Sequence, residues 1–408
     1  MNKNNVFNEY RKCFVSQLVK INVLPPFFCK FAPMKKAYLD NASTTALRPE
    51  VIQEITEILT ENYGNPSSTH TFGRSAKVIV ETARKKIASL IGAEAREIVF
   101  TSCGTEANNW IISSAVKDLG VKRIVSSRVE HHSVLTTVVE MQKQHGVRVD
   151  YVNLLPDGSA DVTHLVKLLS EDVPTLVSLI HVNNETGTVL DIDKVGRICK
   201  QHNAWFHTDT VQSMGKIPID ISSLQVDFLT ASAHKFHGSK GVGFAYFKRN
   251  TPLQPMIYGG EQEKGFRAGT EAVHQIGGMA KALELSYKNL EEEKTHISSL
   301  KAYFTEQLDS NFEGYKINGY NDNLFYNIIN VMLPLPEDKT AMILFHLDMQ
   351  GVAVSRGSAC QSGSIKPSHV LKEILSDEDI KKPSLRISFS HFNTREDIDL
   401  LIAALKTV

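Results

Sequence analysis

No stretch of this 408-residue sequence approaches the roughly 20 consecutive apolar residues that a helix needs to cross a bilayer, so no membrane association is expected. It also lacks any C-x-x-C pair. Its five cysteines, Cys13, Cys29, Cys103, Cys199 and Cys360, are odd in number and widely scattered, which argues against a disulfide framework and a zinc site. That usage points to a reducing, cytoplasmic compartment. An excess of one charge is missing too. The 45 Lys and Arg residues balance 45 Asp and Glu, so there is no overall basic field to neutralise phosphates, and DNA binding is not expected. Internal repeats and low-complexity tracts are absent. Small-molecule chemistry or protein partners remain, on a chain long enough for a large domain with a smaller companion.

Residues 1–33 are basic and carry Phe27-Phe28 after Pro25-Pro26. They have no apolar stretch followed by a small-residue cleavage site, so a secretory signal is not expected. We read them as an extension, either disordered or preceding a true start at Met34, and residues 34–49 as a segment packing with the small domain. From 50 to 285, helical periodicity alternates with short β-branched or apolar runs, the pattern of a layered α/β domain. The runs are residues 97–100, 123–126, 176–180, 205–208, 228–231 and 243–247. One long Leu-, Glu- and Lys-rich helix, from about 276 to 310, leads into a smaller domain over 286–408. That domain holds strands at 327–331 and 384–389 and a loop containing Cys360.

In open α/β sheets ligands gather at strand ends, so the polar residues after each run are the candidates. Lys235, in Thr230-Ala231-Ser232-Ala233-His234-Lys235, follows a buried strand, where low polarity disfavours the ammonium and frees an amine for Schiff-base formation. A surface lysine in a loop is the plainer alternative. Asp209 follows another strand, and a buried carboxylate there calls for a cationic partner, such as a protonated pyridine nitrogen. It would equally serve as a helix cap. Phe100-Thr101-Ser102-Cys103-Gly104-Thr105 breaks from strand to helix at small residues. Free backbone N–H groups at Gly104 and Thr105, with the Ser232 hydroxyl and His234, suit a phosphate, although an ordinary capped helix start uses the same residues. Gly238-Ser239-Lys240-Gly241-Val242-Gly243 matches no nucleotide-binding glycine motif and reads as a tight turn. In Glu130-His131-His132, a flat imidazole at His131 could stack on a cofactor ring. Asn184, in Asn183-Asn184-Glu185-Thr186-Gly187, could reach a cofactor oxygen or a substrate carboxylate, and the same segment also has turn composition.

These segments occur in one order with Tyr38-Leu39-Asp40-Asn41-Ala42-Ser43-Thr44-Thr45, Gly64-Asn65-Pro66-Ser67-Ser68, Asp209-Thr210-Val211-Gln212-Ser213, Arg267-Ala268-Gly269-Thr270 and Ser358-Ala359-Cys360. From Tyr38 to Leu405 the chain resembles the cysteine desulfurases of the class-V aminotransferase family. The resemblance implies fold type I of the enzymes dependent on pyridoxal 5'-phosphate. That fold is α/β, a mixed, mostly parallel sheet flanked by helices, plus a smaller α/β C-terminal domain, in a homodimer with its sites at the interface. It makes Lys235 the Schiff-base lysine, Asp209 the pyridinium partner and His131 the stacking and catalytic histidine. Asn184 and Gln212 lie near the phenolic oxygen. Gly104, Thr105, Ser232 and His234 bind phosphate, which Thr270 reaches from the other subunit. Cys360, in a run of small and polar residues, takes sulfur from L-cysteine as a persulfide, leaving L-alanine. Arg386 offers a planar fork to the substrate carboxylate, otherwise being a strand-edge surface residue. Cys103 and Cys199 are read as structural, the latter as a small hydrophobe in a helix.

A sulfur-acceptor protein, such as an iron–sulfur scaffold or a sulfur carrier, is the implied partner. Glu261, where many relatives show glycine, and Arg356, where serine or threonine is common, depart from the pattern. The chain also ends at Val408 without the longer tail with which some relatives dock a scaffold, so desulfuration is the firmer expectation. Selenocysteine lyase or another β-lyase shares the cofactor constellation, and an inactive binding module of this fold is the alternative outside enzymes.

Overall fold

The structure, a computed structural model, describes residues 35–321, 324–356 and 367–408. The extension at residues 1–33 and the segment carrying Cys360 lie outside the described residues. The short strand β1 (Ala37–Tyr38) precedes helices α1 (Pro49–Glu61) and α2 (Thr71–Leu90). Strand β2 (Ile98–Thr101), helix α3 (Gly104–Lys117), β3 (Arg123–Ser126), α4 (His132–His145) and β4 (Arg148–Tyr151) follow. The alternation continues through α5 (Val162–Leu169), β5 (Thr175–Ile180), α6 (Ile192–Gln201), β6 (Trp205–Asp209), β7 (Phe228–Ser232) and β8 (Gly243–Phe247). These strands form one seven-stranded sheet in the order β2-β8-β7-β6-β5-β3-β4, in which β8 runs antiparallel to both neighbours and the other pairings are parallel.

Both faces of that sheet are covered, and the strands show it residue by residue. Ile98 and Phe100 join one core with α1, α2, α6 and the later helix Val273–Lys288, whereas Val99 between them joins a second core with α3 and α4. Val125 against Ile124, and Tyr246 against Ala245, alternate in the same way, as the two-residue period of a strand requires. Strands buried on both faces read as continuous apolar runs, and so most of this sheet is visible in the sequence. β4 is the exception. Its residues are half-buried or exposed at the sheet edge, which leaves no apolar run to find.

Two helices, α7 (Val273–Lys288) and α8 (Leu290–Asn311), stand where the composition suggests a single one. The break is at Asn289 (φ −100°, ψ 9°), which closes α7 and opens α8. Its chemistry is legible in retrospect: Lys288 sits in the last turn of α7, and Glu291, Glu292 and Glu293 fill the first turn of α8, each favourable to its own helix dipole. Strands β9 (Lys316–Ile317) and β10 (Ile328–Met332), helix α9 (Lys339–Met349), β11 (Val352–Ala353), helix α10 (His369–Ile374), β12 (Ser384–Ser388) and helix α11 (Arg395–Leu405) complete the described chain. The sheet β12-β10-β9 is antiparallel, and β1 pairs in parallel with β11, placing Ala37 and Leu39 in the core of this smaller α/β layer.

One buried ion pair ties the loop around Glu263 to the large sheet. Arg84 of α2 donates from Nη1 and Nη2 to the two Glu263 oxygens at 2.6 and 2.7 Å, and Phe100 N–H donates to the same carboxylate at 2.8 Å. Glu263 holds a left-handed conformation (φ 49°), uncommon for a residue with a side chain, and this three-way contact keeps it there. Replacing Arg84 with Ala strands a buried carboxylate, so a loss of about 3–5 kcal/mol is expected. Chemical denaturation checks it, and an unchanged midpoint would show that the pair contributes nothing.

Candidate active site

Strands β2, β3, β5, β6 and β7 run in the same direction, and the segment after each delivers one wall of a cavity of about 270 Å³. Gly104 and Thr105 follow β2, His131 follows β3, Asn184 follows β5, Asp209 ends β6, and Ser232 to Lys235 end β7 and turn beyond it. The smaller layer adds Arg386 from β12, and the chain after β1 adds Ala42 and Ser43. Gly238 to Gly243 form the tight turn expected, entering β8 through Gly241 (φ +80°).

At one end of the cavity helix α3 begins at Gly104, and its cap residue Cys103 makes no side-chain hydrogen bond to the helix. The first N–H groups of a helix lack intrahelical partners and carry partial positive charge. A Cβ at position 104 would stand 2.6 Å from Val211 Cγ2, so glycine is what lets the helix start this close to the loop after β6. Ser232 Oγ, buried nearby, has no hydrogen-bond partner among the described residues. His234 lies within 3.2 Å of Thr44 Oγ1, and burial, reinforced by Lys235, Lys240 and Lys216, pushes its imidazole down to about 3. It is therefore a neutral ring, suited to a hydrogen bond rather than a charge.

The middle of the cavity pairs an acid with an amine. The Asp209 carboxylate, only 4% exposed, accepts Val211 N–H at 2.9 Å on Oδ1 and the Asn108 amide at 2.7 Å on Oδ2. Both donors are neutral, which leaves the carboxylate's charge uncompensated by them and matched to a protonated ring nitrogen. Lys235 Nζ donates to the carbonyls of Ala42 at 2.6 Å and Ser43 at 2.8 Å. Gln212 donates to Ala42 O at 2.8 Å, while its Oε1 is buried without a partner among the described residues. His131 caps α4, its Nδ1 accepting Ser133 N–H at 3.2 Å, and burial lowers its pKa.

At the far end Arg386 is buried rather than a surface arginine at a strand edge. Its guanidinium donates to Asn184 O at 2.8 Å, Asp40 Oδ1 at 2.8 Å and Ser43 Oγ at 2.6 Å. Thr270 is exposed and stands outside this cavity. Cys360 falls outside the described residues, so its position relative to the cavity is not part of this geometry. Cys199 is buried, its thiol pushed well up by burial, which fits its reading as a packing residue. Cys103 does line the cavity, at the start of α3.

Several residues of this site are absent from the sequence reading. Asn108 lies one helical turn beyond Gly104, on the same face of α3, and that spacing is the signal that would have found it. Glu185 accepts a short hydrogen bond from Ser368 Oγ, and burial raises its carboxyl. Lys216 is buried outside the cavity, its Nζ without a hydrogen-bond partner among the described residues, and burial, then the nearby Lys235, pushes it down to about 7. Nothing in the pattern around it distinguishes it from a surface lysine.

An orphaned hydroxyl and amide oxygen, a helix N-terminus that only glycine permits, a buried carboxylate and an amine in one cavity fit pyridoxal phosphate. Gly104, Thr105, Ser232 and His234 would hold the phosphate, Asp209 the ring nitrogen and Lys235 the aldehyde carbon. Comparison with known proteins agrees. The sequence profile described as aminotransferase class-V matches residues 37–401. The cysteine desulfurase IscS of Dictyoglomus turgidum is 41% identical over 376 residues, covering 92% of this chain and 94% of that protein. The crystallographic NifS-like protein of Rickettsia africae superposes with a TM-score of 0.82 at 34% identity, over 91% of this chain and 99% of that one. SspA, solved in complex with cysteine, gives a TM-score of 0.76 at 30% identity, over 88% of this chain and all (100%) of that one. The architecture is fold type I of the pyridoxal-phosphate enzymes, and the chain belongs to the class-V aminotransferase family, within its NifS-like cysteine desulfurases.

Proposed function

We propose that this protein converts L-cysteine to L-alanine and keeps the sulfur as a persulfide on Cys360, for transfer to an acceptor protein such as an iron–sulfur scaffold or a sulfur carrier. The carrying observation is that Lys235, Asp209, His131 and Arg386, from four separate strands or the loops after them, line one cavity. SspA, whose fold this chain shares, binds cysteine, which supports the same substrate here.

Pyridoxal phosphate, when bound, supplies a carbonyl carbon for the substrate amine and a ring that accepts electrons from the adjoining carbons. The chain supplies the rest. Arg386 fixes the substrate carboxylate with its fork, steadied by Asp40 and Asn184 O. Lys235 Nζ, once released, carries protons to and from substrate carbon, and Asp209 keeps the ring nitrogen protonated. The Cys360 thiolate attacks the substrate sulfur. The carbon–sulfur bond breaks, the new sulfur–sulfur bond forms, and L-cysteine plus a thiol becomes L-alanine plus a persulfide. We place the reaction in a reducing, cytoplasmic setting and in a homodimer in which Thr270 completes the partner's phosphate site.

Purified protein incubated with L-cysteine, pyridoxal phosphate and a thiol is expected to release alanine and sulfide in equal amounts. Elimination to pyruvate and ammonia instead would move the reading to a β-lyase, and a large preference for selenocysteine would move it to a selenocysteine lyase. Arg386→Lys keeps one charge but loses the fork, so KM for cysteine should rise by about 10-fold or more while kcat at saturation falls less. Steady-state kinetics separate the two, and an unchanged KM would remove Arg386 from substrate binding.

A further inference from the structure

Between Asp209 and His131 lie two residues that the proposed reaction does not use, Asn108 and Ser133. Asp209 is a carboxylate, and carboxylates only accept, so the Asn108 atom 2.7 Å from its Oδ2 is the amide nitrogen. The same nitrogen lies 2.8 Å from Ser133 Oγ, which takes its second hydrogen. Ser133 Oγ therefore accepts from Asn108 and has one proton of its own left to give. His131 Nδ1 lies 2.8 Å from that oxygen and already accepts the Ser133 backbone N–H at 3.2 Å. A nitrogen facing two donors carries no proton. Asn108 at 1%, Ser133 at 8% and Asp209 at 4% exposure are all buried.

We propose that Asn108 and Ser133 form a hydrogen-bond relay from Asp209 to His131 that holds the imidazole protonated on Nε2 alone. Both are positioning residues. They leave His131 able to donate from Nε2 and unable to accept a proton at Nδ1 without turning the Ser133 hydroxyl and stranding the Ser133 N–H that His131 caps. The relay also makes the state of His131 answer to Asp209. Any donor that draws charge from Asp209 weakens its hold on Asn108 and, through Ser133, alters the field on the imidazole. The other groups facing the ring are Lys235, His132 and His369, which disfavour its protonation, while Asp209 favours it. The consequence for catalysis rests on the reading of His131 as the residue lying against pyridoxal phosphate; the relay itself is a property of the chain alone.

The test is the ring tautomer, read by nitrogen-resolved magnetic resonance on full-length protein with isotopically labelled histidine, before and after pyridoxal phosphate is added. Signals of His131 are assigned by their loss in His131→Gln. Wild type is expected to show Nε2 protonated and Nδ1 bare at neutral pH. Asn108→Asp removes both amide hydrogens, and its carboxyl stays an acceptor toward Ser133 even when it shares a proton with Asp209. The Ser133 hydroxyl then turns toward it and presents a lone pair to Nδ1. The proton should move to Nδ1 and the His131 titration midpoint should rise by about one pH unit or more. Ser133→Ala removes the hydroxyl but keeps the backbone N–H on Nδ1, so the Nε2 tautomer should persist in it and in the Asn108→Asp/Ser133→Ala double variant; a proton on Nδ1 in the double variant would show that the effect of Asn108 does not pass through the Ser133 hydroxyl and would overturn the relay. A wild type protonated on Nδ1 overturns the proposal whether or not the variants fold, and so does an Asn108→Asp protein with wild-type tautomer and midpoint. A protein that binds no pyridoxal phosphate yet shows the expected tautomers would sink the functional reading and leave the relay standing.

Discussion

Replacing Lys235 with Ala is expected to cut alanine formation by on the order of 10⁴-fold, since the same amine both attaches the cofactor and moves protons during turnover. The visible absorbance that depends on covalent attachment should vanish with it, and borohydride reduction should no longer fix pyridoxal phosphate to the chain. The informative comparison is with Lys216. Its amine, pushed down to about 7 by burial, is readily deprotonated, and it lies close enough to Lys235 for the two to feel each other's charge. Reactivity is not access, however. Lys216 is enclosed outside the cavity wall, whereas Lys235 lines the cavity and already reaches across it to the carbonyls of Ala42 and Ser43. Peptide mapping of the reduced wild-type protein should place the cofactor on Lys235 alone. Label on Lys216, or label that survives in Lys235→Ala, would overturn the assignment.

That contrast also shows what the sequence makes legible. Lys235, His131, Asn184 and Gly104 each follow, and Asp209 ends, a strand buried on both faces, and such strands write themselves as apolar runs with polar residues at their ends. Their site residues can be found one strand at a time. Asn108 and Ser133 follow no such rule. They sit inside helices α3 and α4, and their meaning arises only when Asp209, at the end of β6, comes within hydrogen-bond distance of Asn108. Arg386 is intermediate: its strand is plain in Ser384-Leu385-Arg386-Ile387-Ser388, but burial in the interior depends on Asp40 and Ser43, more than 300 residues earlier. The break at Asn289 is hidden in the sequence for a different reason. Helix propensity is nearly continuous from Val273 to Asn311, and the charge reversal from Lys288 to Glu291 marks a boundary only when helix dipoles are weighed alongside propensity.

Cys360→Ala should leave the cofactor absorbance and its response to cysteine intact while lowering persulfide formation by at least about 100-fold, because substrate binding and sulfur capture use different groups. The competing nucleophile is not hypothetical. Cys103 lines the cavity at the start of α3, where the helix dipole favours an anion, so proximity alone would nominate it. Two arguments weigh against it. Its place beside Gly104 is the end that fits the phosphate, whose oxygens would compete for the same N–H groups and repel a thiolate. Its backbone also packs closely on Gly243, where an added Cβ would meet it at 3.2 Å, which holds Cys103 against the sheet rather than on a segment that travels. Cys199 is excluded by burial. Cys103→Ala should therefore retain sulfur transfer while Cys360→Ala loses it, with mass mapping of the trapped persulfide as the readout. Sulfur found on Cys103 in the wild-type protein would mean that capture happens inside the cavity, and the acceptor would then have to reach in.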